Sequence, residues 1–193
     1  LEERAMVANV DVDGGPVAST LTMTGREYQI LAGDQPISDD RAFDVVAKLI
    51  TQGTMPLPSF VEDPGPVPHS GGKGHIVGPS PQNREERGAL ASLYAAYVAD
   101  LCLDVLGSTM PIVIDGGFAT NVSFAKILAC LRPAQELYVS QSKDGTALGA
   151  GLLWNRFNRR EPVNSVVLDR MEAKAAPLLK EAARNWKARI EAA

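Results

Sequence analysis

A chain of 193 residues, 45% of them apolar, is long enough for one sizeable packed domain. A formal net charge of −4 and a pI near 5.2 exclude the basic footprint of a nucleic-acid or anionic-membrane binder. No stretch reads as the ~20 consecutive apolar residues of a membrane span, and the opening does not read as a signal peptide.

Leu1-Glu2-Glu3-Arg4 opens without an initiator methionine, and the chain is expected to be part of a longer one. Val7 to Val12 alternates as a half-buried strand does, Asp13-Gly14-Gly15 supplies a hairpin turn, and Val17 to Met23 returns. In Gly25-Arg26-Glu27-Tyr28, the two charges read as a surface ion pair of little energetic weight. Gly33-Asp34-Gln35 reads as a loop. A helix capped near Ser38 or Asp39 follows over 41–52, with Phe43, Val46, Ala47 and Ile50 on its inner face.

The stretch 53–78 is rich in proline, which excludes helix and predicts a long, extended loop. Ile76-Val77 is apolar enough for a short strand at its end. Gly71-Gly72-Lys73-Gly74 lacks the spacing of a phosphate-binding P-loop. His69 and His75 lie there without partner ligands, and no metal site is expected. Ser80-Pro81 predicts a helix start, with serine as cap. Leu90, Leu93, Tyr94, Tyr97, Val98, Leu101 and Val105 then recur at helical spacing until Gly107, the tyrosines at the core's edge. Cys102 and Cys130 fall inside apolar helical patterns and read as buried thiols of a reducing compartment.

The chain is organised around Met110 to Trp154. Pro111-Ile112-Val113-Ile114 suits a strand buried on both faces, and it ends in Asp115-Gly116-Gly117. A helix with Val122, Phe124, Ala125, Leu128, Ala129 and Leu131 on one broad face follows, closed by Pro133. A strand over Glu136 to Val139 leads through polar residues into the helix Thr146 to Trp154, whose small residues Ala147, Ala150 and Gly151 suit close helix packing. A diglycine at the carboxyl end of a strand lets a flat ligand lie against backbone. Spacing alone leaves open whether Gly116 and Gly117 do this or only turn the chain. Asn121 is placed to cap the next helix or to offer its amide to a ligand. A dinucleotide turn is excluded, because no third glycine follows and Glu136 begins a strand. Beyond, Asn155 to Arg160 reads as a basic exposed link and Val163 to Leu168 as a short strand. Asp169 to Ala192 reads as a helix kinked at Pro177, with Met171, Ala175, Leu178, Leu179, Ala182, Trp186 and Ile190 inward.

The run IVIDGG, then FATN, then Thr146-Ala147-Leu148-Gly149-Ala150-Gly151, resembles the C-terminal domain of FGGY carbohydrate kinases, of the actin/Hsp70/sugar-kinase superfamily. The Gly-Arg-Glu-aromatic stretch at Gly25 resembles one bacterial branch of it. The resemblance implies an α/β, ribonuclease H-like (actin-like ATPase) domain, a mixed sheet flanked by helices. The whole chain, 1–193, is then the nucleotide-binding half of a two-domain sugar kinase, with 163–193 as a C-terminal strand and helix extension. The implied activity is phosphorylation of a sugar or polyol hydroxyl with ATP and Mg²⁺ in a cytoplasmic enzyme, and this chain would supply the adenosine pocket. By resemblance Gly116, Gly117 and Asn121 line that pocket, Phe118 flanks the base, Gly78 neighbours the phosphates, and the small-residue helix belongs to the connection between domains.

The family's catalytic aspartate and first phosphate turn would lie in a missing N-terminal kinase domain. That domain and the sugar are the implied partners, nucleic acid and membrane are not, and a homodimer stays open. Gly33-Asp34-Gln35 follows the hairpin, so it is not placed as the family's base, and the isolated chain is expected to be inactive. The alternatives are a non-catalytic ATP-binding domain of the actin/Hsp70 type and a protein-binding module without nucleotide.

Overall fold

The computed structural model describes residues 4–33, 42–142, 145–158 and 166–192. In chain order the elements are β1 (Met6–Val10), β2 (Pro16–Thr20), α1 (Thr24–Ala32), α2 (Ala42–Thr51), β3 (Met55–Leu57), β4 (His75–Val77) and α3 (Arg84–Leu106). There follow β5 (Ile112–Ile114), a 3-10 turn (Gly116–Thr120), α4 (Val122–Leu131), β6 (Leu137–Ser140), α5 (Gly145–Phe157), β7 (Leu168–Met171) and α6 (Pro177–Glu191).

Three small sheets are present among the described residues. β1 and β2 form an antiparallel hairpin, β3 and β4 a second antiparallel pair, and β5-β6-β7 a mixed sheet. In the last, β5 runs parallel to β6, with α4 as the crossover, and β7 is antiparallel to β6. Parallel neighbours require such a crossover, and it places the turn after β5 at the sheet's carboxyl edge.

The core forms around α3. Asn83 caps it, its side chain accepting from the Glu86 amide at 2.9 Å, while the Glu86 carboxylate accepts from the Gln82 amide. This cap begins the helix three residues after the expected Ser80-Pro81 start, because the Asn83 side chain satisfies the Glu86 amide, one of the helix's otherwise unpaired first donors. Gly107 ends it in the left-handed conformation, φ +62°. α3 is long and apolar enough to cross a membrane, contrary to the sequence expectation, yet 72% of its apolar window is buried against the rest of the protein. α1, α2 and α4 pack round it. Tyr94 and Tyr97 lie at its centre, fully in the core and not at its edge.

Several expectations are corrected. The hairpin is largely exposed, with Val10 and Val17 in solvent, because among the described residues no layer covers its outer half. β5 is not buried on both faces: Ile112 and Ile114 are inward, but Val113, which points to the opposite face, is 52% exposed. On α2 the buried residues are Val46 and Leu49, with Ala47 exposed. The helix α5 runs through Asn155 and Phe157, which the sequence assigned to a link. None of its residues is buried, and a Cβ added at Gly149 or Gly151 would meet nothing within 4 Å beyond the helix itself, so the small-residue face packs on nothing among the described residues.

The final strand is 168–171. Pro177 opens α6 at its first turn and does not kink it, because a proline there lacks only an amide that would have no helical partner. α6 buries Leu179, Ala183 and Trp186, whereas Leu178 is exposed. Both cysteines are buried and free. Asp34, Gln35, Ser38, Asp39, Arg41, the Arg159-Arg160 pair and Val163 lie outside the described residues.

Candidate functional site

The apolar side chains of β5 anchor it, and beyond Ile114 the chain turns through Asp115 into the 3-10 turn. Gly116 has φ +69°, a conformation that an L side chain resists. At Gly117 no positive φ is involved, yet a Cβ there would meet nothing within 4 Å. The space above the diglycine is therefore open. It belongs to a cleft of about 530 Å³ lined by Gly117, Phe118, Thr120 and Asn121 on one side and Gly25, Tyr28 and Gln29 of α1 on the other. That volume is within the ~300–1,000 Å³ of small-molecule sites.

Asn121 is both cap and wall. Its Oδ1 accepts from the Phe124 amide at 2.9 Å, starting α4, and its Nδ2 donates to Ser92 Oγ at 3.1 Å on α3. The residue is 5% exposed, so its side chain is held by the fold and oriented before any ligand arrives. The Tyr28 hydroxyl joins this cluster. Burial pushes its phenol above the ordinary value, against the opposing hydrogen bonds from Ser92 and Asn121. Phe118 sits between rings, edge-on to Tyr28 at 5.6 Å and tilted against Phe124 at 4.7 Å. The Thr120 hydroxyl donates to the Gly117 carbonyl at 3.1 Å, fixing the turn.

Four of the five expected site residues thus share one corner. Gly78 does not line the cleft. Its φ is +81°, and a Cβ there would collide with the Gly53 carbonyl, so a tight backbone crossing accounts for that glycine. The residues that the sequence did not place here are Thr120, within the FATN run, and Gly25, Tyr28 and Gln29 on α1. The Gly25-to-Tyr28 stretch was taken only as a family marker, and the i, i+3, i+4 spacing of Gly25, Tyr28 and Gln29 on a helix was the available signal.

The cleft lining carries no carboxylate, imidazole, thiol or amine. Its polar groups are the Tyr28 and Thr120 hydroxyls and the Gln29 and Asn121 amides, which suit binding and orientation. Among the described residues there is also no group of three side chains able to hold a metal ion. Asp115 is exposed beside the first turn of α5, where a side chain in place of Gly145 would strike its carboxylate.

The sequence model of the carbohydrate kinase FGGY C-terminal domain matches residues 1–162. The chain belongs to the FGGY carbohydrate kinase family. Its fold is accordingly the actin-like ATPase, ribonuclease H-like α/β fold of these kinases. A carbohydrate kinase from Novosphingobium aromaticivorans is similar in structure over 100% of this chain and 41% of its own, with a TM-score of 0.80 and 33% identity. The glycerol kinase of Plasmodium falciparum, solved with ADP, matches 98% of this chain and 42% of its own at a TM-score of 0.67 and 19% identity. The xylulose kinase of Rhodospirillum rubrum matches 97% and 42% at a TM-score of 0.67 and 14% identity. No curated protein matches in sequence. The FGGY domain described here spans about two-fifths of the length of each of these kinases.

Proposed function

We propose that the cleft between α1 and the Gly116-Gly117 turn seats the adenosine of ATP, and that the longer protein phosphorylates a sugar or polyol hydroxyl. The observation that carries this reading is the open space over Gly117, faced by an aromatic and amide wall of pre-set geometry. A flat purine suits a shelf without side chains, and rings and amides at its rim suit the ring faces and edges of a base.

In this reading Gly116 and Gly117 are the shelf, Phe118 and Tyr28 the apolar flank, and Asn121 and Gln29 the polar rim. In-line phosphoryl transfer rests on positioning and charge neutralisation. The chain's part is positioning, since the lining holds no base or metal cluster. Mg²⁺ would travel with the phosphates and keep most of its waters, as that ion usually does. The base and the sugar pocket belong to the rest of the protein.

Calorimetric titration of the chain with ADP, alongside ATP-to-ADP turnover by the longer protein over a panel of sugars and polyols, tests the proposal. The expected result is saturable ADP binding, with the Gly117 and Asn121 amide signals shifting when the titration is repeated by NMR, sugar-dependent turnover by the longer protein, and no turnover by the chain alone. Absence of ADP binding would sink the cleft assignment. Nucleotide binding without turnover on any sugar would favour the non-catalytic actin/Hsp70-type alternative.

A further inference from the structure

Glu27 lies on the same two turns of helix as Gly25, Tyr28 and Gln29, but it faces the interior. The residue is 4% exposed, where the sequence predicted a surface ion pair with Arg26. One oxygen accepts both the Tyr94 hydroxyl, at 2.7 Å, and the Phe60 amide, at 2.8 Å. Arg26 turns instead to Gln29. Phe60 packs edge-on to the Tyr94 ring, with centroids 5.4 Å apart. A single oxygen therefore ties α1 to the central helix and to the proline-rich segment.

Tyr28, Leu31 and Ala32 pack α1 against the core, and Glu27 adds the directed contacts that such apolar packing lacks. The helix has nine residues and no side-chain cap at its start, too short to be stable by itself. Its rotation decides which side chains meet the cleft, because each residue turns the helix by roughly 100°. A leucine at 27 would fill the space without the desolvation cost of a carboxylate, so burial alone does not account for the acid. A buried polar group with directed partners specifies geometry where an apolar one specifies only contact.

We propose that Glu27 is a positioning residue for the nucleotide cleft, holding the α1 wall in register with Gly117 through Tyr94 and Phe60. The inference rests on the adenosine reading of that cleft and adds a residue that never touches the ligand.

The test measures ADP affinity and melting temperature for the chain and for E27L, E27Q, Y94F and V46A. Val46, on α2 and outside the cleft, controls for simple loss of core packing. E27L is expected to bind ADP about tenfold more weakly, E27Q to stay within about twofold of the original chain, and Y94F to lose roughly threefold. V46A is expected to lower the melting temperature without weakening ADP. Unchanged affinity in E27L, or a V46A loss as large as that of E27L, overturns the proposal. If E27L does not fold, Y94F decides: full affinity there overturns it too. No ADP binding by the unaltered chain is a separate outcome, which removes the cleft assignment and this inference together.

Discussion

The indole Nε1 of Trp186 donates to the Pro56 carbonyl at 2.6 Å, across 130 positions of sequence. Trp186 is wholly buried, tilted against Tyr97 with ring centroids 5.4 Å apart. It lies beyond residue 162, where the FGGY match ends, yet it plugs into the core beside the β3–β4 pair. The C-terminal helix is thus part of the domain's packing.

Truncating that side chain should therefore destabilise the whole domain. Trp186→Ala is expected to cost about 3–5 kcal/mol from lost burial and the cavity left behind. Trp186→Phe keeps most of the volume but strands the Pro56 carbonyl, at about 1–3 kcal/mol. Urea denaturation ranks the two. Equal midpoints for both variants and the unaltered chain would show that α6 contributes nothing to the fold.

Asn121 carries two loads, and its removal should register in both. Asn121→Ala deletes the cap on the Phe124 amide, worth about 0.5–2 kcal/mol, and leaves Ser92 without that donor. A lower melting temperature together with weaker ADP binding is expected. Weaker binding with the melting temperature unchanged would mean that the amide serves the ligand alone and does not hold α4.

How much of this was legible in the sequence depends on how far each determinant reaches. The bounds of α4 follow from Asn121 and Pro133, and the end of α3 from Gly107, because caps and breakers act within a turn. The diglycine corner was legible for the same reason, as a buried run stopping at two glycines. Glu27 was not, since its partners are 33 and 67 positions away and a lone charge on a helix reads as surface. The α1 wall of the cleft was missed with it. β7 was misplaced because Leu168 to Met171 is mostly exposed and joins the sheet only through β6, so no alternation marks it.

An ion network at the end of α3 predicts the acid limb of stability. Arg132 and Lys187 each bridge Asp100 and Asp104, with Lys187 Nζ at 2.5 Å from the Asp104 carboxylate. Burial pushes the Asp104 carboxyl up, but Lys187 and Arg132 outweigh it and hold it below the usual carboxylate value. Burial likewise works against the Lys187 charge, and the two aspartates outweigh it, so its folded value is raised. A depressed carboxylate stabilises fully above its unfolded value, about 4, and that contribution is lost as pH falls through the folded value. A raised lysine stabilises fully below its unfolded value, about 10.4, and is lost as pH rises through the folded one. Between those limits the network's contribution is flat.

Asp104 is nearly half exposed, so solvent screens its share. Denaturation midpoints from pH 7 down to pH 3 should fall more steeply for the unaltered chain than for Asp104→Asn. Parallel curves would show that the network is energetically silent.

The most direct test of the account is Gly117→Val, followed by melting temperature and ADP affinity. A Cβ there points into open cleft and, its chain neighbours aside, meets no protein atom within 4 Å. Its cost to the fold should stay within about 1 kcal/mol, as for a surface change. The account predicts a melting temperature close to that of the original chain and ADP binding abolished, because the valine occupies the shelf. Full ADP affinity in a folded Gly117→Val chain would contradict it, and the nucleotide would then bind elsewhere.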